Sequence, residues 1–373
     1  MKKLKILMLG WEYPPYVEGG LGTHCYYLIK ALAKLPVKIY FITPHPIQKK
    51  SRNLHVVGLN ISQKFKEKGQ ILSYGHLKNK KIELYTKKIP EIIKKYDFDV
   101  IHCQDVLPIE ATILAKKLSK KPAVMTVHST AYDRAKKPRK QTILRERMGM
   151  VHVDRLIAVS GYTKDIIVNK YFISPKKISV IINAVKQKKK LPRKKMGKTR
   201  YVLYLGRLSY QKGIPYLLEA AKDVVAKEKN VKFLIAGKGR SKYEKKLKGQ
   251  VKKLGLENHV IFLGYVKDAG YYYKKANIFV MPSVSEPFGI TPLEAMRNGT
   301  PVIISRQSGI SQVLTNCVKF NYWNSKDLAK NILKLLNDKE LYNSLRREGF
   351  KELKSFNWDN IAKKTLELYN ELV

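Results

Sequence analysis

NIFVMPSVSEPFGITPLEAMRNGTPVI, Asn277 to Ile303, is the stretch whose reading decides the fold. Its first six residues form an apolar run suited to a strand buried in a parallel sheet. PLEAMRNG is compatible with a helix, and PVI begins a second apolar run. Glu286 falls beyond the first strand's carboxyl end. Glu294 falls eight positions on, inside the helix, about two turns along and on roughly the same side. Ligands of open α/β sheets collect at that edge. The backbone N–H groups around Phe288, Gly289 and Ile290 open the helix and suit an anion. The layout fits one carboxylate near a sugar, amides near a phosphate and a second carboxylate near a ribose.

The same alternation runs through the chain. The first half reads KILMLG, a helix from about Gly22 to Leu35, then KIYFITP, DVIHCQ, PAVMTVHS, RLIAVS and KISVII. The second half reads YVLYLG, KFLIAG, VIFLG, NIFVMP, PVIIS and CVKF. Short apolar runs separated by helical spacing predict parallel, doubly wound sheets. KQKKKLPRKKMGKTR, Lys186 to Arg200, interrupts the pattern with charge, proline and glycine. At 373 residues the chain exceeds one ordinary core and suits two domains of about 180 residues. The expected division is a first α/β domain over 1–187, a basic linker over 188–200 and a second α/β domain over 201–357. A terminal helix over 358–373 follows. The segment from Pro46 to Lys95 reads as an irregular, lysine-rich insertion that bears on specificity.

Three further places carry chemistry. GWEYPPYVEGGLGTHC sets Gly19 and Gly20 just before a helix, where bare backbone can approach a diphosphate. YLGRLSYQKG sets Arg207 and Lys212 after the first strand of the second domain, and Gly213 opens the next helix. Two cations there can neutralise a leaving phosphate. His128 ends the run PAVMTVHS, again at a sheet's carboxyl edge.

These motifs carry a resemblance. EPFGITPLE resembles the E-x7-E signature of retaining glycosyltransferases with two Rossmann-like domains, the GT-B architecture. The chain is most similar to the group that contains glycogen synthases, sucrose synthases and bacterial mannosyl- and glucosyltransferases. The glycine loop resembles the family's P-P-x-x-x-G-G-[LI], and GRLSYQKG resembles G-R-x-x-x-x-K-G. The resemblance implies an active site in the cleft between the domains, with Glu286, His128 and Asp105 as catalytic residues. It implies donor binding by Gly19, Gly20, Arg207, Lys212, Gly237, Val266, Phe288, Gly289, Ile290 and Glu294. Gly237 and Val266 stand where the family contacts the base, and Asp105 stands for the aspartate of H-x-H-D near the acceptor. Gln104 replaces the second histidine of that segment. The terminal helix, with Trp358 as anchor, is expected to return to the first domain.

Two departures narrow the match. Glu18 stands where glycogen and starch synthases commonly carry lysine, which points to the broader group. INAVK, Ile182 to Lys186, keeps Asn183 of P-N-G-[VI]-D but has Ala184 for glycine and Lys186 for the acid. The implied substrates are a nucleoside-diphosphate sugar, with glucose favoured, and a hydroxyl acceptor, with an α-glucan as first choice. No cofactor and no metal are expected. Asp97-Phe98-Asp99 spells the D-x-D of the other large glycosyltransferase fold, but it opens the strand DVIHC, opposite the ligand edge.

Lys and Arg number 74 against 29 Asp and Glu, a formal charge of +45. The lysines are spread over nearly every segment and no nucleic-acid motif accompanies them, so a specific nucleic-acid partner is not expected. A peripheral contact with an anionic membrane stays open. Three scattered cysteines, Cys25, Cys103 and Cys317, suggest a reducing cytoplasm. MKKLKILMLG resembles a signal peptide, but its apolar run is too short and reads as the first strand. A lipid-directed transferase, a sugar-nucleotide epimerase or phosphorylase of shared architecture, and a non-catalytic polyanion binder are the competing readings.

Overall fold

The computed structural model describes residues 3–17, 19–61, 74–194 and 197–373. Glu18 lies outside them. The chain divides into two compact units. The first comprises Met1–Tyr132, Lys137–Asn183 and Trp358–Val373; the second comprises Asp133–Lys136 and Ala184–Asn357.

The first unit opens with β1 (Leu4–Leu9), α1 (Gly20–Leu32), β2 (Val37–Thr43), β3 (Gln48–Lys50), β4 (Leu54–Gly58), α2 (Tyr74–Lys87) and α3 (Ile89–Lys95). It continues through β5 (Val100–Gln104), α4 (Ile109–Ser119), β6 (Ala123–Val127), α5 (Ala131–Arg134), α6 (Lys140–His152), β7 (Arg155–Ala158), α7 (Gly161–Tyr171) and β8 (Ile178–Val180). The eight strands form one sheet in the order β3-β4-β2-β1-β5-β6-β7-β8. Among the described residues only β3 runs antiparallel to its neighbour. Ile6, Leu7, Met8 and Leu9 of β1 are fully buried, as a central parallel strand covered on both faces requires.

Over its described residues, 46–61 and 74–95, the segment Pro46–Lys95 is more regular than the sequence suggested; residues 62–73 lie outside them. LHVVG pairs in parallel with β2, and α2 and α3 follow. Its lysines hid a short strand whose Leu54 and Val56 are buried. The Asp97/Asp99 pair holds the amino ends of two strands together. Asp99 Oδ2 accepts from Lys5 N at 2.8 Å, and Asp97 pairs with the Lys5 ammonium.

The second unit contains β9 (Arg200–Leu205), α8 (Ile214–Lys227), β10 (Val231–Ala236), α9 (Ser241–Lys253), β11 (Val260–Gly264), α10 (Ala269–Lys275), β12 (Ile278–Met281), α11 (Ile290–Arg297), β13 (Val302–Ser305), β14 (Val318–Phe320), α12 (Ser325–Asn337) and α13 (Lys339–Glu352). Its six strands are ordered β11-β10-β9-β12-β13-β14, all parallel. The winding direction reverses between β9 and β12, which makes the crevice beyond their carboxyl ends the topological switch point. The basic segment before β9 is tied to this unit. Lys188 Nζ donates to Asn298 Oδ1 at 2.7 Å and Lys194 Nζ to Thr300 Oγ1 at 2.6 Å.

The last helix, α14 (Trp358–Asn370), belongs to the first unit. Its buried positions Trp358, Ile361, Ala362, Thr365, Leu368 and Tyr369 repeat at helical spacing. Trp358 stacks on Tyr27 with centroids 5.8 Å apart, and the Tyr369 hydroxyl meets His102 Nδ1 at 2.5 Å.

Candidate functional site

In the second unit, the loops after β9 and β12 meet at the switch point. The first loop turns through Tyr210–Lys212 and passes Gly213, whose φ of +65° starts α8. A Cβ on Gly213 would stand 1.8 Å from Pro282 O, so only glycine lets the two loops approach this closely. Val284 N donates to Gln211 O at 2.8 Å and closes that contact. From the other side, Glu286 N donates to Gln307 O at 3.0 Å and Gly309 N to Glu286 O at 2.9 Å. The loop carrying Glu286 is therefore clamped on both flanks.

The result is an ion pair. Lys212 Nζ lies 2.5 Å from Glu286 Oε2, and Ser283 Oγ donates to the same oxygen at 3.3 Å. Both side chains are largely buried, at 17% and 12% exposure. Arg207 is exposed on the same loop as Lys212. Gly289 caps α11 with φ +103°, and Ile290 opens the helix. Phe288 is buried beneath them.

Glu294 is one turn into α11, partly buried, with Oε2 accepting from the Tyr273 hydroxyl at 2.9 Å. Burial raises its carboxyl pKa, against the pull of the Tyr273 hydrogen bond and the nearby Arg297. Gly237 has φ +136°, and a Cβ there would stand 1.9 Å from Gly206 O. Close backbone packing thus demands this glycine, whatever ligand approaches it. Val266 lies in the loop after β11, between the exposed Tyr265 and Lys267.

The first unit gathers its groups at its own switch point, beyond β1, β5 and β6. Asp105 follows β5 with φ +68°, a left-handed conformation that aspartate tolerates better than most residues and that often marks functional sites. His128 N donates to Asp105 Oδ1 at 3.3 Å, so these two predicted residues are neighbours. The His128 Nε2–H donates to Gln104 Oε1 at 3.2 Å, which leaves Nδ1 as the ring's acceptor. Burial holds the imidazole pKa well below its ordinary value, helped by His24 and His102, so the ring is neutral at pH 7.

Gly19 and Gly20 are exposed at the start of α1. One amide of that first turn is already engaged: Gly22 N donates to Glu12 Oε2 at 3.1 Å. A Cβ on Gly22 would stand 2.7 Å from the same oxygen. An internal carboxylate thus sits where helix amides gather positive charge.

Two family models match in tandem. "Glycosyltransferase Family 4" matches residues 18–189 and "Glycosyl transferases group 1" matches residues 183–352. The chain is a GT-B glycosyltransferase of family 4 type. It is 26% identical to a glycogen synthase of Mycobacterium tuberculosis over 98% of this chain and 94% of that protein. It is 31% identical to an alpha-monoglucosyldiacylglycerol synthase of Streptococcus pneumoniae over 67% of this chain and 61% of that one. Among solved structures, sucrose-phosphate synthase from Thermosynechococcus elongatus superposes with a TM-score of 0.81 at 21% identity, covering 99% of both chains.

In this glycosyltransferase the sequence reading missed several supporting residues. Gln104, which in the motif is only a replaced histidine, orients His128. It shares a strand face with His102, two residues earlier, which the period of two makes readable. Tyr273 had no motif to mark it. His24 is 97% buried, with Nδ1 2.7 Å from Asn183 Oδ1 and its ring 4.3 Å from that of His128. Its Nε2 has no hydrogen-bond partner among the described residues. Among the described residues, left-handed backbone outside glycine is confined to Asn60, Asp105, Lys120 and Phe172, so Ala184 replaces the family's glycine without strain.

Proposed function

We propose that this glycosyltransferase moves a hexose, glucose first among the candidates, from a nucleoside-diphosphate sugar to a hydroxyl acceptor with retention of configuration. The observation that carries the reading is the Lys212–Glu286 pair at the switch point of the second sheet. A cation and a carboxylate on one clamped pair of loops provide opposite charges for the two poles of a glycosyl-transfer transition state. These are the departing diphosphate and the electron-poor anomeric carbon.

On this reading Arg207 and Lys212 neutralise the diphosphate, assisted by the Gly19 and Gly20 amides, and the departing oxygen takes the acceptor's proton. Glu286 orients the donor hydroxyls and supports the oxocarbenium-like carbon. Glu294 holds the ribose, and Gly237 and Val266 border the base. Neutral His128 offers its Nδ1 lone pair to a sugar hydroxyl, with Asp105 near the acceptor. The side chains supply the cations, and no metal takes part.

An α-glucan is the acceptor of choice, supported by the glycogen synthase relative that spans the whole chain. A lipid acceptor is the second reading, favoured by a basic, apolar face on the first unit and by the Streptococcus relative. Incubation with a panel of nucleoside-diphosphate sugars, malto-oligosaccharides and glycolipids tests both. The expected product is an α-linked, lengthened oligosaccharide formed at rates nearly flat in salt, since neutral hydroxyls are not screened. A product of inverted configuration overturns the mechanism. Transfer to lipid alone overturns the glucan acceptor.

A further inference from the structure

Helix α6 turns a line of apolar side chains outward. Leu144, Met148 and Val151 are 55%, 37% and 47% exposed. Their spacing of four and three keeps them on one face, while Glu146, Gly149 and Met150 face the interior. Phe172, at 77% exposure the most exposed large apolar residue of the described chain, is held in left-handed backbone at the end of α7. It is brought beside α6 by Arg147, whose Nε donates to Tyr171 O at 3.0 Å. Lys177 reaches the end of the same line, donating from Nζ to Val151 O at 2.7 Å.

Cations flank these four residues along the chain, and Arg147 and Lys177 are held at the face by their bonds to Tyr171 O and Val151 O. Arg139 and Lys140 precede the line, Arg147 sits within it, and Lys170, Lys176 and Lys177 follow. The acidic groups packed about α6 are already engaged. Glu110 pairs with Arg145, Asp154 with Lys116, and buried Glu146 accepts from the Tyr171 hydroxyl. The flanking cations keep their positive charge. A second copy of the chain is a poor occupant, because it would press like charges together. Aliphatic and aromatic tips set among ammonium and guanidinium groups match the boundary between acyl chains and anionic headgroups.

We propose that the α6 face, Leu144, Met148, Val151 and Phe172 with its flanking cations, docks on an anionic lipid bilayer. This placement is independent of the acceptor, since a membrane-docked enzyme can extend a soluble or a lipid-linked glycan.

The full chain is to be sedimented with vesicles of phosphatidylcholine alone and of phosphatidylcholine mixed with phosphatidylglycerol. Binding to the anionic vesicles, weakened by salt, is expected, with little binding to the zwitterionic ones. The Leu144→Ser/Met148→Ser/Val151→Ser/Phe172→Ser variant is expected to lower the partition coefficient at least about tenfold. Lys140→Glu/Lys170→Glu is expected to lower it by a similar factor. Both variants replace exposed side chains, so the thermal melt and donor hydrolysis are expected to match the parent. Absence of vesicle binding overturns the proposal. So does binding untouched by the serine variant, which would assign it to diffuse charge. A concentration-dependent dimer that the serine variant abolishes would hand the face to a second copy.

Discussion

Lys212 Nζ and Glu286 Oε2 lie 2.5 Å apart although 74 positions separate them in the chain. The contact exists because β9 and β12 are neighbours in the sheet while five elements separate them in sequence. Each partner compensates the other's burial in the absence of substrate, and so neither can be removed alone without leaving a largely buried, uncompensated charge.

The pair is therefore expected to act as a unit. Lys212→Ala and Glu286→Ala should each lower kcat about 10²-fold or more, as other lost transition-state contacts do. The double variant should lose far less than the product of the two. Arg207→Ala, exposed and outside the pair, should cost about 10²-fold on its own. Steady-state kinetics on the four variants decides; a multiplicative Lys212/Glu286 double variant would contradict the coupling.

Glu294 should fail differently. A ribose contact is similar in ground and transition states, so Glu294→Ala should weaken nucleotide binding about tenfold while kcat changes little. Tyr273→Phe, which removes the hydroxyl that holds the carboxylate, should weaken it less. Calorimetry showing unchanged affinity in Glu294→Ala would remove the ribose role. Burial raises the Glu294 pKa, so binding that uses the ionised form should fade as the pH falls, earlier than for an ordinary carboxylate.

The buried histidines set an acid limit on stability. Burial lowers His102 to about 3 and His24 to about 4. Their unfolded counterparts take up protons near the ordinary value of about 6.5, so the unfolded state binds more protons between there and the folded pKa. Stability is intact above that ordinary value and is lost as the pH falls, by up to about 1.4 kcal/mol per pH unit for each histidine. Thermal melts from pH 7 to pH 4 should show this slope, and His102→Gln should flatten it. A melting temperature flat over that range would contradict the burial.

Gly213 and Gly255 make an internal control. Both have positive φ, near +65°, but a Cβ on Gly255 meets nothing within 4 Å, whereas one on Gly213 strikes Pro282 O. Gly255→Ala should cost about 1 kcal/mol, the left-handed penalty alone. Gly213→Ala should cost at least about 2 kcal/mol more and reduce activity, because it pries apart the loops that carry Lys212 and Glu286. Equal melting temperatures for the two variants would refute that account.

Turnover is expected to persist in excess EDTA. Asp97 and Asp99 are committed to Lys5 at the sheet's amino edge, and among the described residues no acidic or histidine cluster suits a metal ion. Loss of turnover on chelation, restored by Mg²⁺ or Mn²⁺, would return the D-x-D segment to the chemistry.

The alternation of short apolar runs with helical spacing determined the α/β architecture, because strands buried on both faces must be nearly all apolar. Glycine positions and strand ends likewise marked Arg207, Lys212, Glu286, Glu294 and His128, since ligand groups gather where parallel strands end. Tertiary structure alone decided which of these residues meet. Strand order is not written in local periodicity, so the closure of Lys212 on Glu286 depends on β9 lying beside β12. The same holds for partners that carry no motif, such as Tyr273 on Glu294 and Gln104 on His128. The left-handed backbone of Asp105 and the carboxylate of Glu12 at the head of α1 are consequences of packing that no spacing rule encodes. The sequence named the chemical groups, and the order of strands in each sheet set their partners.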